Sequence, residues 1–98
     1  MPYVTQETRD KIEPEYCKLV EAVYQRTEYN DRAGILTWLL YRLLLDVLTP
    51  RKYRDYALVL GCVDSASKEF YRRRIAPYED KKIHENGDVD PLIADYIP

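Results

Sequence analysis

The stretch from Ile35 to Leu48 constrains the fold of this chain more than any other. It reads ILTWLLYRLLLDVL, and eleven of its fourteen residues are apolar. Asn30 or Asp31 can cap a helix that continues to about Leu48. Such a helix has no cleanly polar face, so it must be covered on every side. The stretch is also too short and too charged to be a membrane span.

The other predicted helices are too few to cover this one. We therefore expect a second copy of the chain to cover it, because exposed apolar patches of this size usually mark interfaces. Arg42 and Asp46 lie one helical turn apart and can form an ion pair. In an alternative interpretation, Arg42 faces a ligand at the interface. The predicted homo-oligomer interface consists of Ile35, Trp38, Leu39, Tyr41, Arg42 and Leu45.

Helical spacing of apolar residues elsewhere predicts an all-α fold. Its 98 residues suit one domain, a small bundle of three to four helices over residues 1–98. We expect an N-terminal arm over residues 1–4 and a C-terminal tail over residues 88–98. The tail mixes acidic and apolar residues, which suits docking on a neighbour.

Capping residues and prolines predict the boundaries of the first helix. Thr5 can cap a short helical turn, because its hydroxyl can accept a bond from a free backbone N–H group. Pro14 cannot donate a backbone hydrogen bond, but it fits the first turn of a helix. We therefore expect a new helix from Pro14 to about Arg26, separate from the short turn before it.

The second half of the chain is predicted to form a long helix and a short one. Thr49 acts as the cap and Pro50 as the first residue of a helix that ends near Ile75. So short a link predicts an antiparallel hairpin of the second and third helices. Pro77 then breaks this helix and starts a short fourth helix, which ends at Gly87.

Packing does not explain the stretch from Ser67 to Asp90, so we expect the functional residues there. It contains three consecutive arginines and several of the ten tyrosines of the chain. A guanidinium group binds phosphate in a fixed fork, and a tyrosine ring can stack on a base. Arg73 is expected to pair with Glu69. The predicted ligand-binding residues are Tyr71, Arg72, Arg74, Tyr78, Lys81, Lys82 and His84.

The same residues also have a structural interpretation that needs no ligand. Cations near the C-terminal end of a helix are favourable without any partner molecule. The three arginines could bind Glu79 and Asp80 and so fix the angle at Pro77. Both interpretations stay open at the level of the sequence.

Charge and composition argue against several classes of protein. A net charge of −2 disfavours binding to double-stranded nucleic acid, which needs a basic field. Asp80 and His84 share a helical face, but no third ligand at a recognisable spacing completes a metal site. Cys17 and Cys62 are expected to be reduced core thiols. With no glycine-rich phosphate loop either, we expect no enzyme, no metal and no cofactor.

Two stretches of the chain resemble a known family. They are Tyr53 to Gly61 and Lys68 to Val89, and they resemble a family of small phage- and bacterium-encoded proteins of unknown function. Within the second stretch, the likeness lies in the segments Phe70 to Arg73, Ala76 to Asp80 and Glu85 to Asp88. The resemblance implies a phage or prophage accessory protein in the cytoplasm of a host bacterium. It carries no known activity and therefore no residue roles.

Two functions from different classes follow. The first is a non-enzymatic protein that sequesters a small nucleotide-derived immune signalling ligand in a pocket between subunits. The alternative is an adaptor or inhibitor that binds a host defence enzyme through the tyrosine-rich surface, with the arginines and tyrosines as a hot-spot patch. The first requires convergent basic residues, whereas the second requires exposed ones.

Overall fold

The computed structural model describes residues 3–90, and within that range it contains helices and no strand. The prediction of an all-α fold is confirmed. The chain divides into two compact units, Met1–Val47 and Leu48–Pro98. The helices are α1 (Gln6–Arg26), a 3₁₀ turn (Tyr29–Asp31), α2 (Arg32–Leu48), α3 (Tyr53–Phe70), a π-helical segment (Tyr71–Ile75, below called the π segment) and α4 (Ala76–Asn86).

In the first unit, α1 is one helix and not two. Thr5 caps it as predicted, since the Thr8 N–H donates to Thr5 Oγ1 over 3.2 Å. Pro14 lies inside the helix, so the prediction of a new helix at Pro14 was wrong. A capped start before the proline and three turns after it outweigh the one backbone bond that a proline cannot donate. The predicted end at Arg26 is confirmed.

A compact connection joins α1 to α2. The Thr27 hydroxyl donates to the Val23 carbonyl over 2.6 Å, and the Asp31 N–H donates to the Glu28 carbonyl over 3.0 Å. The two predicted capping residues of the second helix lie in the 3₁₀ turn, and α2 begins directly after them at Arg32. Its predicted end at Leu48 is confirmed.

In the second unit, α3 begins at Tyr53, so the prediction that it starts at Pro50 was wrong. An N-cap residue needs an extended backbone, whereas Thr49 has a φ of +42°. Lys52 has that extended backbone and is the cap instead. Asp55 Oδ2 accepts hydrogen bonds from the backbone N–H groups of Arg51 and Lys52, each over 3.1 Å, and so fixes the start of the helix. The hairpin of the second and third helices stays a prediction.

The predicted short fourth helix is present, since α4 begins at Ala76 and has Pro77 in its first turn. The backbone nevertheless stays helical from α3 through the π segment into α4, so the predicted break before it was wrong. Proline has no N–H group, and its ring clashes with the carbonyl four residues before it in a regular α-helix. The Ala76 N–H donates to the Tyr71 carbonyl, five residues back, so the turn just before Pro77 is wider than an α-turn. The wider turn leaves room for the Pro77 ring, and Pro77 lies in the first turn of α4.

Gly87 ends α4 as predicted. Its φ is +87°, a value that favours glycine, and its N–H donates to the Ile83 carbonyl over 2.8 Å. The predicted arm over residues 1–4 lies partly outside the described residues, and the tail over residues 88–98 lies mostly outside them. Within residues 3–90, no helix is long and apolar enough to cross a bilayer.

No described residue is buried in the single chain. The prediction of core thiols was therefore wrong in one respect, since Cys17 and Cys62 are free but exposed. The apolar residues of the helices have only partial cover, because few of them meet another helix within the same unit.

Candidate functional site

The three arginines lie in the π segment, where the helix is locally widened. Segments of this kind occur frequently at functional sites. On one side of the segment, the Tyr71 hydroxyl donates to Glu79 Oε2 over 2.8 Å and so bridges the wide turn and the proline after it. The hydrogen bond to the Glu79 carboxylate raises the pKa of Tyr71. The bond was absent from the sequence predictions, because its partners are eight residues apart and regular helical spacing does not bring them together.

Two of the arginines share one carboxylate. Arg72 Nη2 lies 2.6 Å from Glu69 Oε1, and Arg73 Nε donates to the same oxygen. These hydrogen bonds, the one from Arg72 first, lower the pKa of the Glu69 carboxyl. The predicted pair of Arg73 and Glu69 is confirmed. Arg72 was expected to be available to a ligand, but it is also engaged by Glu69.

The structural alternative, in which the arginines bind Glu79 and Asp80, is not the arrangement observed within residues 3–90. There the Glu79 carboxylate accepts from Tyr71, and Glu69 is the carboxylate that the arginines bind. Tyr71 therefore connects the two sides of the π segment, a role that had been considered for the arginines.

The remaining predicted ligand residues lie along α4 and the end of the π segment. Lys82 Nζ lies 3.0 Å from Glu85 Oε2 and 5.6 Å from the centre of the Tyr78 ring, which is 60% exposed. Arg74, Lys81 and His84 make no ion pair or ring contact with other residues in the described range. Arg74, Tyr78 and Lys81 follow one another at spacings of four and three residues, which places them along one side of a helix. We call Arg74, Tyr78 and Lys81 the cationic face.

The cationic face joins two groups that bind anions to a ring that can stack. In chain order, the set is a guanidinium at Arg74, a ring at Tyr78 and an ammonium group at Lys81, and all three residues are exposed. Such a set can hold a phosphate and a planar base without a metal or a nucleophile. Within residues 3–90, no group of three histidine, cysteine, aspartate or glutamate side chains could hold a metal ion.

The predicted oligomer interface on α2 divides into two groups. Trp38 and Tyr41 are 55% and 66% exposed in the single chain, and Leu45 is exposed as well. The predicted ion pair is present, with Arg42 Nε 3.1 Å from Asp46 Oδ2, and both side chains are exposed. The other two predicted residues, Ile35 and Leu39, are half-buried and face α1.

A second exposed stripe on α2 was absent from the predicted interface. Its four residues follow one another at spacings of four, three and four, so they share one side of the helix. The two at its ends, Leu36 and Val47, are 67% and 71% exposed. The spacing is visible in the sequence, but a helix that is apolar all round does not show which side a neighbour covers. We call Leu36, Leu40, Leu43 and Val47 the leucine stripe.

A cleft of about 240 Å³ lies between the C-terminal half of α1 and the N-terminal half of α2. The Arg32 guanidinium carbon lies 4.3 Å from the centre of the Tyr24 ring and 5.9 Å from that of Tyr29, at the edge of this cleft. None of these three residues was among the predicted site residues. No single stretch of sequence indicates this combination of arginine and tyrosine, because its residues come from two helices and the turn between them.

A family model described as "Domain of unknown function (DUF6899)" matches residues 1–89. The chain belongs to this family. The match includes residues of both units and agrees with the resemblance to a family of unknown function. Neither the phage origin nor the motif that carried the resemblance follows from family membership. Searches among curated proteins and among solved structures returned no match.

Proposed function

We propose that this member of the family is a non-enzymatic binding protein that sequesters a small, anionic, nucleotide-like ligand. The ligand contacts the cationic face, in a pocket that a second copy completes. One observation supports this most directly: Arg74 and Lys81 have no carboxylate partner within residues 3–90, and their spacing puts them on the side of the helix that carries Tyr78, whose ring is exposed. The setting proposed with it is a phage or prophage protein that binds an immune signal of a host bacterium.

The chemistry of the cationic face favours a phosphorylated ligand with a planar base. Arg72 and Arg73 both contact the single carboxylate of Glu69, whereas Arg74 is the arginine of the π segment with no carboxylate contact within residues 3–90. A guanidinium group binds phosphate bidentately, and an aromatic ring stacks on a base with little preference for sequence. Lys82, whose ammonium group lies over the Tyr78 ring, pairs with Glu85 and so adds no unpaired charge beside that ring.

Self-association is the second part of the proposal. The leucine stripe and the group of Trp38, Tyr41 and Leu45 lie on different sides of α2, and both are exposed in the single chain. Exposed apolar area of this extent on one short helix is typical of an interface. A second copy that covers α2 would also supply a second cationic face, and two such faces can enclose a ligand that one leaves open to water.

Thermal unfolding in the presence of a ligand panel tests the proposal, because a ligand that binds the folded chain raises its Tm. The panel contains cyclic and linear dinucleotides, ATP and adenosine. We expect a phosphorylated member to raise the Tm and adenosine, which has no phosphate, to have no effect. The Arg74→Gln, Lys81→Gln double variant should lose the response. Lys11→Gln should keep it, because Lys11 pairs with Glu7 on α1 and is not a residue of the cationic face.

The following outcomes distinguish a loss of ligand binding from a loss of folding. If no phosphorylated compound raises the Tm of the wild-type chain, the proposal is wrong. It is also wrong if the double variant responds as strongly as the wild type. Circular dichroism of both variants should match that of the wild type, since all three substituted side chains are polar and solvent-facing.

A second candidate function is an adaptor or inhibitor of a host defence enzyme. The observation that favours it is the number of exposed tyrosine rings, among them Tyr53 and Tyr56 at the start of α3. Exposed tyrosines are typical of protein interfaces. Capture of one host protein from a lysate tests it. If the Arg74→Gln, Lys81→Gln double variant still captures that protein and the Tyr53→Ser, Tyr56→Ser double variant does not, the adaptor is favoured over the ligand-binding protein.

A further inference from the structure

The cleft between α1 and α2 has an apolar lining and one charged group. Leu19, Val20 and Val23 line it from α1, and Ile35 and Leu39 line it from α2. Its volume of about 240 Å³ exceeds that of a 150 Å³ apolar cavity that holds benzene, so it has room for a body of about eight carbon atoms. The cleft is open on one side in the single chain, which gives a small molecule access to it, and Leu36 of the leucine stripe also lines it. It shares no residue with the cationic face.

Arg32 gives this cleft a fixed positive charge. Its guanidinium group is held against the Tyr24 ring, and no carboxylate pairs with it within residues 3–90. Its Nε atom is buried and has no hydrogen-bond partner in the same range. A buried donor without a partner is unfavourable, and the aromatic rings compensate for only part of the lost hydration. Arg32 is also the first residue of α2, where the helix dipole favours an anion.

We propose that this cleft binds a small carboxylic acid with an apolar body, such as a medium-chain or aromatic acid. The apolar body lies among the leucine, valine and isoleucine side chains, and the carboxylate binds the Arg32 guanidinium. One cation in an apolar lining matches one negative charge. A phosphate monoester, with nearly two charges, would leave part of its charge unpaired among apolar side chains.

Isothermal titration with octanoate, octanol and octylamine tests the proposal, since the three probes share one apolar body. We expect octanoate to bind at least about tenfold more tightly than octanol, because a hydrogen bond to a charged group is worth at least that factor. Octylamine should bind more weakly than octanol. Butyrate should bind more weakly than octanoate, since it leaves most of the apolar cleft unfilled.

Variants at Arg32 assign the charge. Arg32→Gln keeps a polar side chain but removes the charge, so octanoate should lose its advantage over octanol. Arg32→Lys should retain part of that advantage. The matched control is Arg26→Gln, which removes an exposed cation at the end of α1 and should leave octanoate binding unchanged. Arg74→Gln, Lys81→Gln should also leave it unchanged, which separates this cleft from the cationic face.

Three results would overturn the proposal: no binding of octanoate, equal binding of the three eight-carbon probes, or undiminished octanoate binding by Arg32→Gln. Circular dichroism shows whether each variant has the helix content of the wild type. Should Arg32→Gln lose helix content, the comparison of the three probes on the wild-type chain decides alone, because it needs no variant.

Discussion

Replacing Arg32 by glutamine removes a guanidinium group that lies 4.3 Å from the centre of the Tyr24 ring. The contact connects the start of α2 to the end of α1, which otherwise meet across the cleft. Cation–π contacts contribute about 0.5–1 kcal/mol at exposed sites and about 2 kcal/mol where the cation is desolvated. Arg32 is half-buried and its Nε is buried, so we expect a coupling of about 1 kcal/mol between the two side chains.

A double-mutant cycle measures this coupling directly. The free energies of unfolding of the wild type, Arg32→Gln, Tyr24→Leu and the double variant are compared in urea at one protein concentration, because self-association makes stability depend on concentration. The same cycle on Lys82 and Tyr78 is the control. Its coupling should be at most about 0.5 kcal/mol, because the Lys82 ammonium lies 5.6 Å from the ring centre and the two residues are an exposed pair four residues apart on α4. A coupling for Arg32 and Tyr24 no larger than that of the control would refute the reasoning.

Two further predictions concern the second unit. The Glu79 carboxylate raises the pKa of Tyr71, so in an absorbance titration Tyr71 should ionise at higher pH than an ordinary tyrosine. Glu79→Gln should remove this upward shift of the pKa. The stability from this bond is present below the ordinary tyrosine pKa of about 10 and is lost as the pH rises past the raised value. Gly87 has φ +87° and ψ 156°, a region essentially limited to glycine, so Gly87→Ala should cost about 1–3 kcal/mol, which the last turn of α4 relieves by fraying. Faster hydrogen exchange of the amide at position 87 would show this. The control is Gly34→Ala in α2 of the first unit, where the added methyl group meets no neighbouring residue within 4 Å, so helix content should stay the same or increase.

Helix positions could be predicted from the sequence where apolar spacing and a strong end signal agree. The end of α2 at Leu48 and the end of α4 before Gly87 are of this kind. Proline was the main source of error. The sequence predicts a helix boundary at Pro14 and at Pro77, because a proline removes one backbone hydrogen bond. Neither outweighs the turns on both sides of it, and at Pro77 the wide turn of the π segment removes the clash.

The start of α3 shows a different limit. Thr49 and Pro50 match the usual pattern of a cap followed by a proline, but that pattern holds only if the threonine backbone is extended. Thr49 has a positive φ, and the Asp55 carboxylate binds the free N–H groups that precede α3 instead. Asp55 is visible in the sequence. The φ angle of Thr49, which decides between the two caps, does not follow from the residue type at that position.

Local pairs within the candidate site were predictable when helical spacing determines them. Arg73 with Glu69 and Arg42 with Asp46 are four residues apart, and both pairs are present. The cleft at Arg32 was not predictable in this way, because its residues come from two helices whose relative placement depends on the turn between them. Tyr71 was placed in the site, but its bond across the π segment depends on a helix widening that apolar spacing does not indicate.

Self-association through α2 is the central claim, and sedimentation equilibrium of the wild-type chain tests it most directly. We predict a mass of at least two chains at micromolar concentration. A variant with Leu36→Lys and Leu43→Lys, which charges the leucine stripe, should shift the mass toward one chain at unchanged helix content. A single-chain mass at the highest attainable concentration, with the α2 amides already protected from hydrogen exchange, would contradict the account.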